Sequence, residues 1–419
     1  MRRVKGEHVK SLGRWLVVAS ALLLGHVHAA APARPLIAAA GKIALSQYLS
    51  TAVDRGDVPG IVTLVVDRDG VLYEGAAGKL DVAHHVDMPA NALFRIASMT
   101  KPITSVAVMM LLEAGKLGLD DPVSRYLPEF ESRQVIATFN TTDGTYQSRP
   151  AKRPITIRHL MAHTSGLGYA FSNPTVARLL LGTQKSEPEL PLLHDPGNRW
   201  TYSASTRVLG QVVEKISGRP LDVFLRTRIF EPLKMADTSY VVSPEKLSRV
   251  ITVHRRMDGT LVEQPNGPTQ QAPVRGDGGL YSTAADYGTF LRMLLNGGSL
   301  QTTKLLREKS VRMMGENQIG TIVVEEQPAA DPERTRPFPL GAGRDKFGLG
   351  FQIAARDERY ATLRSPGSLS WAGINNTHFW IDPNRHIAVV VLMQVLPFYD
   401  DACIRTLRGF EELVYRHLG

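Results

Sequence analysis

Apolar residues recur along this chain with two different periods. Between residues 43 and 55, Ile43, Leu45, Leu49, Ala52 and Val53 fall on one side at helical spacing, and Gly56 ends the pattern. Ile61 to Val66 is instead a β-branched run, and Asp69-Gly70 is a hairpin turn leading into a returning strand over 71–77. A helix is predicted over 98–114, where Val106, Ala107, Met110, Leu111 and Ala114 share a face. From 116 to 280 the character changes: Pro and Gly punctuate short helical patterns, and strand-like runs become rare. The spacing predicts helices over 156–163 and over 204–217, the second carrying the stripe Val208, Leu209, Val212, Val213 and Ile216 with Gly218 as its C-cap. A further helix is predicted over 284–295, closed by Asn296-Gly297-Gly298. Strands return at 347–353, 368–374, 377–381 and 386–392, the last two joined by the turn Asp382-Pro383-Asn384-Arg385, and a helix over 402–417 ends the chain. Residues 316–345 are rich in Pro, Gly and charge without period, which predicts a long surface loop, mobile or functional.

Strands at both ends and helices between them imply a mixed α/β fold. The expected organisation is a discontinuous α/β domain of residues 30–115 and 280–419 and a mainly helical domain of 116–279. A chain of 419 residues fits two to four domains or one large two-part fold, and 43% hydrophobic with 21% charged residues is ordinary globular usage.

Composition changes the picture at the amino terminus. Arg2, Arg3, Lys5, Lys10 and Arg14 precede an apolar run of about ten residues from Trp15 to Leu24, too short to span a bilayer and the right length for a signal-peptide core. Val27-His28-Ala29 supplies small residues at the positions a signal peptidase reads, so cleavage is expected after Ala29, with Ala31 as an alternative. The expected location is periplasmic or secreted, without a stable membrane anchor. Of the formal net charge of +9, residues 1–29 contribute +4, so the remainder carries +5 and the case for a nucleic-acid partner weakens. The one cysteine, Cys403, excludes an internal disulfide framework and is expected to be an inert thiol packed in the last helix.

The sharpest chemical feature is Ser98-Met99-Thr100-Lys101 at the start of a predicted helix. Spacing i, i+3 puts both side chains on one helical face. A serine hydroxyl needs a base within hydrogen-bond reach, and a lysine serves if its pKa is lowered. The helix N-terminus adds N–H groups that favour a developing oxyanion. A second copy, Ser243-Pro244-Glu245-Lys246, reads as an N-cap with Pro at the first helical position.

Several phrases surround the first copy. They include 119–128 (LDDPVSRYLP), 157–167 (IRHLMAHTSGL), 230–238 (FEPLKMADT) and 278–286 (GGLYSTAAD). With Ser98-x-x-Lys101, they make most of the chain resemble the serine β-lactamase and penicillin-binding protein superfamily, in the branch of class C β-lactamases and family VIII carboxylesterases. The resemblance implies an antiparallel sheet flanked by helices plus an all-helical lobe, with the site between them. Its second motif, Tyr-x-Asn, is matched by Tyr202-Ser203-Ala204, which keeps Tyr and loses Asn. Its third is matched by Trp371-Ala372-Gly373-Ile374, similar to the Trp-Gly-Gly of the esterases.

The roles implied are Ser98 as nucleophile, Tyr202 with Lys101 as base, and the backbone N–H groups of Ser98 and Ile374 as oxyanion hole. A tyrosinate needs a lowered pKa, which the Lys101 ammonium is expected to provide. Trp371, Ala372, Gly373, Ala204 and His378 are expected to contact substrate. Losing the third motif's lysine removes a cation for a β-lactam or peptide carboxylate. Losing the asparagine removes an amide for an acylamino group. Both departures favour a small neutral ester, hydrolysed without cofactor or metal. The alternatives are a β-lactamase, a peptidase acting on D-amino acids, an acyl transesterase, and a non-catalytic binder of cell-wall fragments.

Other motifs carry less. There is no Gly-x-Ser-x-Gly elbow. His159 and His163 are spaced i, i+4 but lack the His-Glu-x-x-His pattern, and read as a structural turn. His84-His85 lacks ligand spacing, and the Gly276-Asp277-Gly278-Gly279 run lacks the lysine of a phosphate loop.

Overall fold

The β-branched runs at the two ends of the chain meet in one sheet. In the computed structural model, which describes residues 34–270, 272–357 and 363–419, that sheet has eight strands. They are β1 (Gly60–Asp67), β2 (Val71–Asp81), β3 (Val86–Asp87), β4 (Lys346–Phe347), β5 (Gln352–Ile353), β6 (Leu369–Gly373), β7 (Thr377–Asp382) and β8 (Ile387–Leu392). The order is β4-β5-β6-β7-β8-β1-β2-β3, antiparallel throughout. Contact between β1 and β8, with Val65 opposite Val389, joins chain segments more than 300 residues apart.

Both central strands are buried along their whole length, which is why they read as continuous apolar runs. Their side chains still divide by the period of two. Ile61 and Val65 of β1 and Ile387, Val389 and Val391 of β8 face α1 (Ala39–Asp54) and the C-terminal helix, through Leu45, Leu49, Leu407 and Phe410. Val62, Leu64 and Val66, with Ala388, Val390 and Leu392, face the opposite core. That core contains α2 (Thr100–Glu113) and, further along the chain, helices α3 (Ile157–Met161), α4 (Ser205–Ser217) and α5 (Ala284–Leu295). Each fully buried Val, Leu or Ile side chain contributes about 1.5–3 kcal/mol relative to exposure. Gly288 of α5 lies so near β1 that a Cβ there would sit 2.3 Å from Leu64 Cδ2. The C-terminal helix, α6 (Asp401–His417), is capped by Asp400, whose carboxylate accepts the Cys403 N–H at 3.1 Å. Cys403 is fully buried, and burial pushes its thiol pKa up, as an inert thiol requires.

The predicted elements fall within a few residues of the observed ones, with three corrections. The strand expected over 347–353 is a hairpin, β4 and β5, folded at Gly348 to Phe351. The middle of the chain also holds two hairpins that its pattern did not reveal. Gln134–Phe139 pairs with Tyr146–Pro150, and Val253–Met257 pairs with Thr260–Gln264. Three of these four strands are largely exposed, and the apolar residues they carry, such as Val135, Ile136 and Phe139, follow no strict alternation, so the pattern did not mark them. Residues 316–345 lack long elements but are pinned inward, with Gln327 N bonded to the Phe338 carbonyl at 2.7 Å and Phe338 buried.

Residues 35–419 form one compact unit. Among the described residues, no helix is long and apolar enough to cross a membrane. The expected signal peptide, residues 1–29, lies outside the described residues.

Candidate active site

Ser98 sits in a tight turn, Ala97–Met99, that runs directly into α2. Its predecessor Ala97 has φ +44°, a backbone conformation that costs a residue with a Cβ of order 1–3 kcal/mol. The strand end of β6 lies close behind. A Cβ on Gly373 would sit 2.3 Å from the Ile96 carbonyl oxygen, so only glycine allows this approach. The third motif thus meets the first at backbone distance, with Ile374 next in the chain.

Helical spacing brings Lys101 back over Ser98, with Nζ 3.0 Å from Oγ. Lys101 is buried, and Nζ also donates to the Asp277 main-chain oxygen at 2.8 Å. Tyr202 arrives from the segment before α4 and donates its hydroxyl to Ser98 Oγ at 2.7 Å. The lysine Nζ stands 4.8 Å from the Tyr202 ring centre. Lys101, one helical turn away, and Tyr202, from a distant part of the chain, therefore converge on the Ser98 oxygen.

The electrostatics differ from the sequence expectation. The Lys101 ammonium was expected to draw the Tyr202 phenol down. Instead, burial pushes the phenol up; the Ser98 bond opposes that without reversing it. Burial is also the main cause that brings Lys101 down from 10.5 to about 7; Asp277 opposes the drop, while Arg207 and Arg275 assist it. Moving a proton from tyrosine to lysine would create two charges in a dry site, which desolvation penalises. The phenol keeps its proton and the amine is the group that titrates near neutrality.

An aromatic wall surrounds these groups. Tyr202 packs against Trp371, His163, Tyr169 and Phe338, with ring centres 4.9 Å, 5.1 Å, 5.1 Å and 5.6 Å away. The Tyr202 N–H donates to Gln327 Oε1 at 3.2 Å, so the 316–345 segment braces the site. His163 Nδ1 lies 3.2 Å from Ser203 Oγ, and Ser203 leads through Ser205 to Ser165 in a buried chain of hydroxyls. His159 Nδ1 accepts the Thr156 N–H at 3.2 Å and caps α3. Among the described residues, no cluster of His, Cys, Asp and Glu is arranged to hold a metal.

The remaining expected substrate contacts divide. Trp371 and Ala372 line a cavity of about 710 Å³, together with His378, Phe338, Phe398 and Tyr399. His378 lies opposite Ala372 across the β6–β7 pairing. Burial lowers its pKa to about 3, so it is neutral, and it stacks on Phe398 with centres 6.1 Å apart. Ala204 is fully buried at the start of α4 and presents no surface to a substrate. The second Ser-x-x-Lys is a short 3₁₀ turn. Ser243 stands at its cap position but bonds Glu245, and Lys246 pairs with Asp237 at 2.9 Å.

Sequence reasoning missed Asp277, Arg207 and Tyr169. Asp277 Oδ2 accepts from Tyr169 OH at 2.6 Å and from Arg207 Nε at 3.1 Å. The only signal was an acid in a glycine-rich run, Gly276-Asp277-Gly278-Gly279, which did not qualify as a phosphate loop and pointed to no other role.

The β-lactamase family model matches residues 45–413. An uncharacterised protein of Mycobacterium tuberculosis (strain CDC 1551 / Oshkosh) is 34% identical over 82% of this chain and 88% of its own. Esterase EstB of Burkholderia gladioli is 30% identical over 83% of this chain and 89% of its own. The unliganded simvastatin synthase LovD of Aspergillus terreus superposes with a TM-score of 0.78 at 26% identity, covering 90% of this chain and 98% of its own. The chain belongs to the β-lactamase family. By class it is a serine hydrolase, an enzyme.

Proposed function

We propose that this protein hydrolyses small neutral carboxylic esters through an acyl-enzyme on Ser98. The observation that carries the reading is the convergence of Lys101 Nζ and Tyr202 OH on Ser98 Oγ, at 3.0 Å and 2.7 Å. Neutral Lys101 accepts the Ser98 proton as Oγ attacks the ester carbonyl. The backbone N–H groups of Ser98 and Ile374 hold the oxyanion, a role favoured by the close approach of Gly373 to Ile96. As the tetrahedral adduct collapses, Tyr202 gives its proton to the departing alcohol, and the Lys101 ammonium returns a proton to the phenolate. Water then repeats the sequence and releases the acid, leaving both side chains as they began.

The substrate class follows from what stands at the second and third motifs. Trp371 and Ala204 replace a cation and an amide, so a substrate carboxylate or acylamino group finds neither. The aromatic wall suits an uncharged acyl or alcohol group; the adjoining cavity beyond Trp371 is also lined by charged side chains, among them Arg344, Asp345, Arg364 and Glu411. The same centre can pass its acyl group to an alcohol in place of water. We also propose that residues 1–29 direct the chain out of the cytoplasm, and that 116–279 acts as a lobe distinct from 30–115 and 280–419.

The test is a panel of nitrophenyl esters of graded length, nitrocefin and D-alanyl amides, run with and without an added alcohol. Ester hydrolysis should dominate. Ser98→Ala should lower it by at least about a thousandfold, as losing a nucleophile does, and abolish labelling by a fluorophosphonate probe. Full ester hydrolysis by Ser98→Ala would refute the assignment.

A further inference from the structure

Lys101 is enclosed by groups from several parts of the chain. Ser98 lies in its own turn, and Tyr202 faces it from the segment before α4. The Tyr169 ring centre is 5.2 Å from Nζ. His163, behind Tyr202, is held neutral by burial. Asp277 and Arg275 come from the loop before β-bridge residue Gly278, and Arg207 comes from the first turn of α4. Asp277 is the one acid in this group.

Its placement is tightly determined. The main-chain oxygen of Asp277 takes the Lys101 amine at 2.8 Å, and Oδ2 takes Tyr169 OH and Arg207 Nε. Arg207 is itself fixed on its far side by Glu187, at 2.8 Å. Arg275 Nε stands 3.8 Å from the other oxygen, Oδ1. A buried carboxylate and a part-buried guanidinium are thus locked together beside the amine, where few waters can screen them.

We propose that Asp277 and Arg207 are positioning residues that set the protonation of Lys101 from opposite sides. The carboxylate holds a proton on the amine, and the guanidinium partly cancels that pull. The assignment rests on the reading of Lys101 as the base and adds what tunes it. Neither residue needs to touch substrate; both act through Lys101.

The two substitutions have opposite signs. Asp277→Asn keeps the side-chain shape and an oxygen for Tyr169 but removes the negative charge. Lys101 then loses its proton more readily, and the acid limb of kcat/KM moves to lower pH. Arg207→Gln leaves the carboxylate uncompensated, so the limb moves to higher pH. Each shift should be about one pH unit or more, as nearby charges produce. Arg207→Lys restores the charge without the planar fork and should return the limb towards that of the unsubstituted enzyme. A merely structural role would lower activity in both variants without moving the midpoints apart.

The experiment measures the pH profile on a nitrophenyl ester and, in parallel, the titration of the Lys101 Cε resonance in full-length protein labelled with ¹³C-lysine. The resonance is assigned by its loss in Lys101→Arg. Midpoints displaced in opposite directions support the proposal. Midpoints that stay in place, or move together, overturn it. Should Arg207→Gln not fold, Asp277→Asn decides alone, and a midpoint at or above that of the unsubstituted enzyme overturns the proposal. The resonance reads Lys101 without turnover. Opposite shifts in a protein that cleaves no ester would uphold this proposal and sink the hydrolase reading instead.

Discussion

Around Ser98 Oγ, one neighbour holds a proton and the other is ready to receive one. With Lys101 titrating near 7, its neutral fraction rises with pH through that value. In the base role, kcat/KM should fall about tenfold per pH unit below the midpoint and level off above it. A limb lying below pH 5 would exclude Lys101 as the base. Tyr202 makes a different prediction, because its phenol is held protonated. As proton donor to the leaving alcohol, it matters most when that alcohol is a poor leaving group. Tyr202→Phe should lower kcat by about 10²–10⁴-fold on alkyl esters, the usual range for losing a general acid, and by much less on nitrophenyl esters. An equal loss on both substrates would show that the hydroxyl only orients Ser98.

At the scale of elements, the site depends on a strand end reaching a helix start. Gly373→Ala places a methyl 2.3 Å from both the Ile96 carbonyl oxygen and Thr377 Oγ1, so β6 must withdraw from the turn that holds Ser98. The chain should still fold, with a loss of about 1–3 kcal/mol typical of overpacking. The drop in kcat should be larger than that in stability, because the oxyanion donors would be displaced. Unchanged kcat in this variant would remove Ile374 from the hole. The same elements show what the sequence could convey. Buried strands and amphipathic helices declare themselves by period, so 61–66, 284–295 and 402–417 were legible within a residue or two. Ser98, Lys101, Tyr202 and the strand around Trp371 were legible as phrases in order. The hairpins at 134–150 and 253–264 were not, because short, largely exposed strands without apolar alternation carry no clear hydrophobic signature. Nor were Asp277 and Arg207, whose significance lies in a long-range contact that no local pattern encodes. The direction of the tyrosine pKa shift was misread for a related reason. Sequence shows that two groups are near each other, but only the folded chain shows how dry their surroundings are.

For the whole molecule, keeping a titratable amine in a dry core carries a cost that can be measured. Lys101 holds its proton up to 10.5 when exposed and only to about 7 in the fold. Above pH 10.5 both states are neutral and the shift contributes nothing. As pH falls from there towards 7, the unfolded chain gains a proton that the folded one refuses, so stability declines. Below 7 both are protonated and the penalty is complete, on the order of a few kcal/mol. Lys101→Met removes the amine and keeps most of its length. Its hydrophobic side chain suits the aromatic surroundings, at the loss of the bonds to Ser98 and the Asp277 carbonyl. The variant should therefore be inactive yet more stable than the unsubstituted enzyme at pH 6–7, and the difference should shrink as pH rises towards 10. Thermal unfolding of both proteins across that range checks the claim. A Lys101→Met protein less stable at pH 6–7 would mean that the lysine's contacts outweigh its desolvation, and that the amine is not held in the strained state its base role requires.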